Sequence, residues 1–448
     1  LKNWFIKRQR GAEAFWNGRL YFPCIFAVTA AGLVLQLNVA VMILLAALCM
    51  YFFIFSDDLM TIAMPLMMIF LLASTFFKDL TFLMDYIPYV VTPFAAALIF
   101  QLVYYRKPYV KGRLFYPMLV VSIALALGGV GFIPLEEYTL PISFYYIIGL
   151  GGFMLFIYCL SMSRLQNERS YDRTERLAEI LYYSGFAAVL TVLVFCADNL
   201  DRIIENGSLV FYKPRNFISS VLLMSMPAAC VYIKKNNLHI FGILAMYIGM
   251  VLTGSRSGLL FGTALLIMCA VYVYVTNRDS RRLYNRIMLI AAIPAAYALY
   301  RLVPTLFAGR LTDGRFISSD ETRVKFIKLG IQDFLQHPIF GVGLANQQHL
   351  EIFPGIFPGC LVFYHNILVQ IPASLGIAGV GAYLWQFAHR IKLALKTKNT
   401  PMFWFVLSYI GILMMSLTNP GIMCPFPESA LLVLMFAVIE TESNKCSS

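Results

Sequence analysis

Residues 20–55 read LYFPCIFAVTAAGLVLQLNVAVMILLAALCMYFFIF, and the run contains no charged side chain. A bilayer core about 30 Å thick is crossed by roughly 20 apolar helical residues. The run is therefore long enough for two crossings, with Gln36 and Asn38 marking the turn between them. Working outward, similar apolar stretches recur at 59–77, 86–105, 114–133, 140–160, 177–196, 216–233, 238–253, 258–276, 286–303, 365–385, 401–418 and 428–440. The expected fold is an all-α polytopic membrane bundle of about 12–14 transmembrane helices.

Composition agrees. Hydrophobic residues make up 60% of the 448 and charged residues 13%, against roughly 25% charged in soluble domains. A soluble fold could not build its water-facing surface from this alphabet, and intrinsic disorder is excluded for the same reason. The net charge of +12 would suggest nucleic acid for a soluble protein. In a membrane protein it reads first as an excess of Lys and Arg on cytoplasmic loops.

With Lys2, Lys7, Arg8, Arg10 and Arg19 inside, alternate loops carry the other large basic groups: Arg106 to Arg113, Arg164 to Arg176, Lys234 and Lys235, Arg278 to Arg286, and Arg390 to Lys398. This alternation holds along the chain and puts both termini in the cytoplasm. The Arg-rich stretch 161–176 alternates with acids and reads as a solvated loop. The nine cysteines show no CxxC spacing and read as small hydrophobes, neither metal ligands nor a disulfide framework.

The same orientation puts one long hydrophilic segment, 304–364, outside. The outward basic residues oppose the charge rule and call for a chemical reason. Arg256 sits in TGSRSG at 253–258, a turn between two apolar stretches. Two glycines and three hydroxyl residues let the backbone turn sharply and leave N–H groups free at the start of the next helix. Those donors, the positive end of the helix dipole and a guanidinium together suit an anion such as a diphosphate.

Within the outer segment, residues 321–336 place Val324, Ile327, Ile331, Phe334 and Leu335 at helical spacing, which predicts an amphipathic helix along the membrane surface. HPIFGVG at 337–343 ends it through Pro338, Gly341 and Gly343. His365, followed by Asn366, opens the next apolar span at the interface. An imidazole near its ordinary pKa can take a proton from an attacking hydroxyl at neutral pH.

TGSRSG, Arg323 ahead of HPIFGVG, and HN at 365–366 occur in an order and spacing that resembles the O-antigen ligase and O-antigen polymerase superfamily, membrane glycosyltransferases of the GT-C type. Arg215 with Asn216 matches a further family feature more loosely. The resemblance covers roughly 212–385. It divides the chain into N-terminal transmembrane helices (1–211), a ligase-like catalytic region (212–385, including the outer loop 304–364) and C-terminal helices with a tail (386–448).

The resemblance implies a bacterial cytoplasmic (inner) membrane enzyme of polysaccharide or lipopolysaccharide biosynthesis, with its active site on the extracytoplasmic side. It would transfer a glycan from undecaprenyl diphosphate to an acceptor hydroxyl, on a lipid A-core sugar in the ligases or on a lipid-linked saccharide in the polymerases. By position, Arg256 and Arg215 would hold the diphosphate, Arg323 would assist, and His365 would be the general base. Asn216, Ser255, Ser257 and Asn366 would contact substrate. Glu321 would pair with Arg323 or with Arg256.

The expected partners are the lipid-linked donor, a saccharide acceptor and the bilayer, with no nucleic acid and no cofactor. The first outer loop, around Gln36 and Asn38, has no carboxylate, and Asp198 with Asp201, a DxxD pair in a later outer loop, finds nothing else there to complete an oxygen-rich site. Metal-independent, inverting transfer is the expectation, with arginines in the cation's place. The alternative is a transporter or flippase of the same lipid-linked glycan. That would place charges along the spans, whereas the basic residues here gather at span ends.

Overall fold

The uncharged run at 20–55 folds as two helices, Tyr21–Val34 and Asn38–Phe55. Between them Gln36 takes a left-handed backbone conformation, and the Leu37 amide donates to Gly32 O at 2.8 Å. The computed structural model describes residues 2–76, 80–138, 141–167, 169–206, 214–286, 289–290, 297, 300, 315–344, 364–397, 402–419 and 421–445. Among them every regular element is helical, and the protein is an all-α polytopic membrane bundle.

Among the described residues six helices are long and apolar enough to cross a bilayer: Asn38–Phe55, Tyr145–Arg164, Arg173–Asp198, Arg215–Ile233, Arg256–Thr276 and Ile367–Lys396. Lys2–Asn17 and Tyr21–Val34 form a bent pair whose axes meet at 81°. Shorter apolar helices stand at most of the other expected spans: Leu59–Ala73, Thr92–Tyr104, Phe115–Leu127, Asn237–Leu252 and Phe403–Ser416. Most of the expected span at 286–303 lies outside the described residues.

The chain divides into two units. The first comprises Leu1–Pro108 and Asn167–Thr312. The Arg173–Asp198 helix is its centre, packed by Tyr21–Val34, Ala63–Ala73, Arg215–Ser225 and Ile240–Leu252. Its start is fixed by Asp172, whose carboxylate accepts from the Thr174 and Glu175 amides at 2.7 and 3.1 Å. Its middle is lined by buried Ser184, Gly185, Ala187 and Ala188. Small residues let helices approach closely where van der Waals contact, not exclusion of water, holds them together.

The approach to this helix is not the solvated loop its charges suggest. Arg169 pairs with Asp57 at 2.9 Å, Asn167 Nδ2 donates to Asp57 at 2.7 Å, and Tyr171 donates to buried Asp58. Arg173 is only 3% exposed. Arg176 stands over the rings of Trp16, Phe22 and Tyr171 at 5.0, 5.2 and 5.3 Å. Asp57 and Asp58, more than a hundred residues earlier in the chain, take up Arg169, while Glu179, one turn along the helix, pairs with Arg176 at 2.8 Å.

The second unit comprises Tyr109–Gln166 and Asp313–Ser448. Here the Ile367–Lys396 helix packs against Phe115–Leu127 and Arg315–Gln336, and Met154–Arg164 packs against Ala430–Lys445. At one end buried Glu440 accepts from the Tyr158 hydroxyl at 2.6 Å and from the Arg113 amide at 2.5 Å. That carboxylate ties three stretches of chain together.

Candidate active site

In the first unit, Arg215 and Arg256 are each the first residue of a helix, Arg215–Ser225 and Arg256–Thr276. The TGSRSG turn builds the second start. Thr253 Oγ1 donates to Met250 O at 2.7 Å and accepts from the Ser255 amide at 3.1 Å. Ser255 caps the helix, its Oγ accepting from the Gly258 amide at 3.1 Å. The same hydroxyl donates to Asn216 Oδ1 at 3.0 Å, so one side-chain bond joins the two helix starts. Gly258 permits the approach, since a Cβ there would stand 2.5 Å from Ser219 Oγ.

Asn216 and Ser255 therefore act as a brace between the starts, and Ser257, 6% exposed, is packed into the turn. Two helix N-termini with an arginine at the first position of each concentrate positive potential and backbone donors at one end of the unit.

In the second unit the amphipathic helix begins earlier than expected, spanning Arg315–Gln336. Glu321 lies on it, but its side chain is outside the described residues. Val324, Ile331 and Leu335 are exposed, whereas Phe326, Gly330 and Asp333 are buried. The apolar stripe thus faces outward, as suits a helix lying on lipid, and the opposite face meets the protein. That inward face holds the catalytic candidate: the Phe326 ring lies 5.5 Å from the His365 ring.

His365 has a φ of 53°, a left-handed conformation rare for a residue with a Cβ and costing on the order of 1–3 kcal/mol. Neighbours on both sides hold it there. Ahead of it, the Tyr364 hydroxyl donates to Asp333 at 2.6 Å, and the Tyr364 amide donates to Gln370 Oε1 at 2.9 Å. Gln370 in turn donates to Ser374 at 2.8 Å. Behind it, Asn366 caps the next helix, its Oδ1 accepting from the Leu368 amide at 2.8 Å.

Burial, and then the positive charge of Arg323, push the imidazole pKa down to about 4. His365 is therefore neutral at physiological pH. Its Nδ1 is buried and has no hydrogen-bond partner among the described residues.

HPIFGVG does more than end the surface helix. Inside Ile367–Lys396, Pro372 lacks an amide hydrogen, and Gly376 breaks the helix with φ 61° and ψ −161°. The carbonyls of Ala373 and Ser374 accept instead from the Val342 and Gly343 amides, both at 2.9 Å. The Ile377 and Ala378 amides donate to Pro338 O and Ile339 O at 2.8 and 3.2 Å. Four strap bonds thus replace the two intrahelical bonds lost at the break, in a setting where an unpaired backbone group costs several kcal/mol. A Cβ on Gly376 would stand 2.3 Å from Ile339 O.

Among the described residues no three His, Cys, Asp or Glu stand together as metal ligands. Sequence reasoning missed Asp333, Tyr364 and Gln370, the polar ladder that positions His365. Asp333 stands between Gln332 and Phe334 on the polar side of the amphipathic pattern, where an acid carries no local signal.

The fold and these two clusters define a multi-pass membrane protein whose polar side chains gather at helix ends. Residues 241–384 match the family model described as O-antigen ligase, which bears out the resemblance to the O-antigen ligase superfamily. The match takes in TGSRSG, Arg323, HPIFGVG and His365–Asn366; Arg215 and Asn216 lie ahead of it. No curated protein matches the chain.

Proposed function

We propose that the chain is a membrane glycosyltransferase of polysaccharide biosynthesis, moving a glycan from undecaprenyl diphosphate to an acceptor hydroxyl on the outer side of the bacterial cytoplasmic membrane. The family match supports glycosyl transfer. The observation that carries the reading is the brace between Arg215–Asn216 and Ser255–Arg256, which sets two arginines at linked helix starts. Guanidinium forks match phosphate oxygens and stay charged at any relevant pH.

In this reading Arg256 and Arg215 hold the donor diphosphate, and Arg323 assists from the surface helix. His365, neutral at the start, takes the proton of the acceptor hydroxyl. The acceptor oxygen bonds to the anomeric carbon as the bond to the diphosphate breaks. Undecaprenyl diphosphate then leaves with the bonding electrons, its charge met by the arginines. Attack opposite the leaving group inverts the anomeric centre, and the reaction needs no metal because guanidinium groups do the cation's work. The acceptor is a lipid A-core sugar or the end of a growing polysaccharide.

The test is transfer from a lipid-linked glycan by purified protein in vesicles. His365→Ala abolishes transfer in folded, inserted protein, Arg256→Lys loses most of it for want of the bidentate geometry, and EDTA leaves wild-type turnover intact. Full turnover by His365→Ala removes the base. Loss with EDTA that magnesium restores removes the metal-free mechanism.

A further inference from the structure

The sequence of residues 2–17 presents a set of topology charges, yet the Lys2–Asn17 helix is packed into the first unit. The Phe5 ring packs on Phe55, Phe100 and Tyr104 at 5.1, 5.9 and 4.9 Å. Phe55 ends the Asn38–Phe55 helix, and Phe100 and Tyr104 lie at the end of Leu80–Tyr104. Gln9 Nε2 donates to the Tyr105 hydroxyl at 2.8 Å, and the Tyr51 hydroxyl donates to Arg8 O at 3.3 Å. Ala12 and Trp16 are buried, and Trp16 packs edge-on against Tyr171. The helix therefore lies across the ends of two apolar helices, and its axis meets that of Tyr21–Val34 at 81°. An element crossing span ends at that angle runs along the membrane surface.

Its free face is basic. Lys2, Lys7, Arg8 and Arg10 are exposed, and Glu13 is the one acid in the helix. The bond from Gln9 to Tyr105 brings the exposed pair Arg106 and Lys107 beside it, and Arg19 is exposed just past its end. Beside the charges stand apolar side chains open to the outside: Trp4 and Tyr104, both 53% exposed, with the Arg8 guanidinium 5.5 Å over the Trp4 ring. Amphipathic aromatics next to long cationic side chains are the arrangement that seats at a headgroup layer. A topology signal needs only charge on the right side of the membrane. Here the charges are held on a fixed platform, level with the span ends.

We infer that the basic face formed by Lys2, Lys7, Arg8, Arg10, Arg106 and Lys107 is a binding surface for anionic phospholipid headgroups, recruiting acidic lipid around this end of the first unit. Clustered Lys and Arg at a membrane surface attract acidic lipid by an attraction that decays within a Debye length. The inference does not depend on the glycosyltransferase reading.

The experiment uses the full chain in vesicles of phosphatidylcholine mixed with phosphatidylglycerol, with either lipid brominated in turn to quench tryptophan. With the other exposed tryptophan, Trp385, replaced by Phe throughout, Trp4 reports on the surface. At low salt, phosphatidylglycerol is expected to bind several-fold more tightly than phosphatidylcholine. The preference falls toward unity at about 1 M salt, where the Debye length is about 3 Å. Replacing Lys7, Arg10, Arg106 and Lys107 together by Gln abolishes the preference at every salt concentration. The wild-type salt series stands alone should that variant not insert. Equal quenching by both lipids in the wild type overturns the proposal. So does displacement of phosphatidylglycerol by millimolar inorganic phosphate, which would mark a site for soluble anions.

Discussion

The Tyr364 hydroxyl donates to the carboxylate of Asp333 at 2.6 Å, joining the surface helix to the residue just before His365. Burial, and then the Asp333 partner, drive the phenol's pKa well above its ordinary value, so Tyr364 keeps its proton and remains a donor at every working pH. The bond is a tether on the backbone of the candidate base.

Tyr364→Phe is therefore expected to lower kcat by about tenfold to a hundredfold, the scale for a misplaced reacting group, with KM nearly unchanged. It leaves Asp333 short of a buried donor, at a cost of about 1–3 kcal/mol in stability. Asp333→Asn, with Tyr364 intact, keeps an acceptor for the phenol and should retain more of kcat than Tyr364→Phe. Steady-state kinetics and thermal unfolding of the purified variants separate the two effects.

The depressed pKa of His365 fixes the acid limb of the pH profile. The imidazole stays neutral down to about pH 4, so kcat/KM should persist well below pH 6.5 if His365 is the base. The Arg323 charge disfavours the imidazolium, so Arg323→Gln raises the pKa and moves the acid limb to higher pH. Stability changes in step. The folded pKa lies below the unfolded value of about 6.5, so stability is lost as pH falls from that value toward about 4. Rate–pH profiles of wild type and Arg323→Gln test the shift, and an unchanged limb would show that another group titrates.

Ser255 has two partners, and its removal should act twice. Ser255→Ala loses the cap, about 1 kcal/mol, and also frees the Arg215–Asn216 helix start from the Arg256 turn. Donor KM should rise. Asn216→Ala, which spares the cap, should raise KM with a smaller loss of stability.

A cysteine placed at Lys328, exposed on the surface helix, should react with an impermeant maleimide from the outer side in whole spheroplasts. Labelling only after lysis would reverse the orientation on which the donor assignment rests.

The sequence made the TGSRSG turn legible because the bonds that shape its backbone are local, from Met250 to Gly258. The brace to Asn216 was not legible, since no periodicity links residues 39 apart. The docking of the N-terminal helix is hidden in the sequence because its charges are its loudest feature, whereas its anchors, Phe5, Gln9, Ala12, Phe15 and Trp16, are scattered among them. Residues 365–385 read as an ordinary apolar span. Pro372 alone suggests a kink, and the break at Gly376 is stable only with a strap from HPIFGVG to meet it. Hydropathy counts apolar residues and is blind to that exchange of partners.

That exchange sets how the region tolerates change. The seam between residues 338–343 and 373–378 is made by main-chain groups, which every residue except proline supplies. Away from Gly341, Gly343 and Gly376, an exchange of side chain to anything but proline leaves the four bonds in place. A single inserted or deleted residue between Pro338 and Gly343 shifts every donor off its acceptor at once. Here spacing is under stronger constraint than spelling.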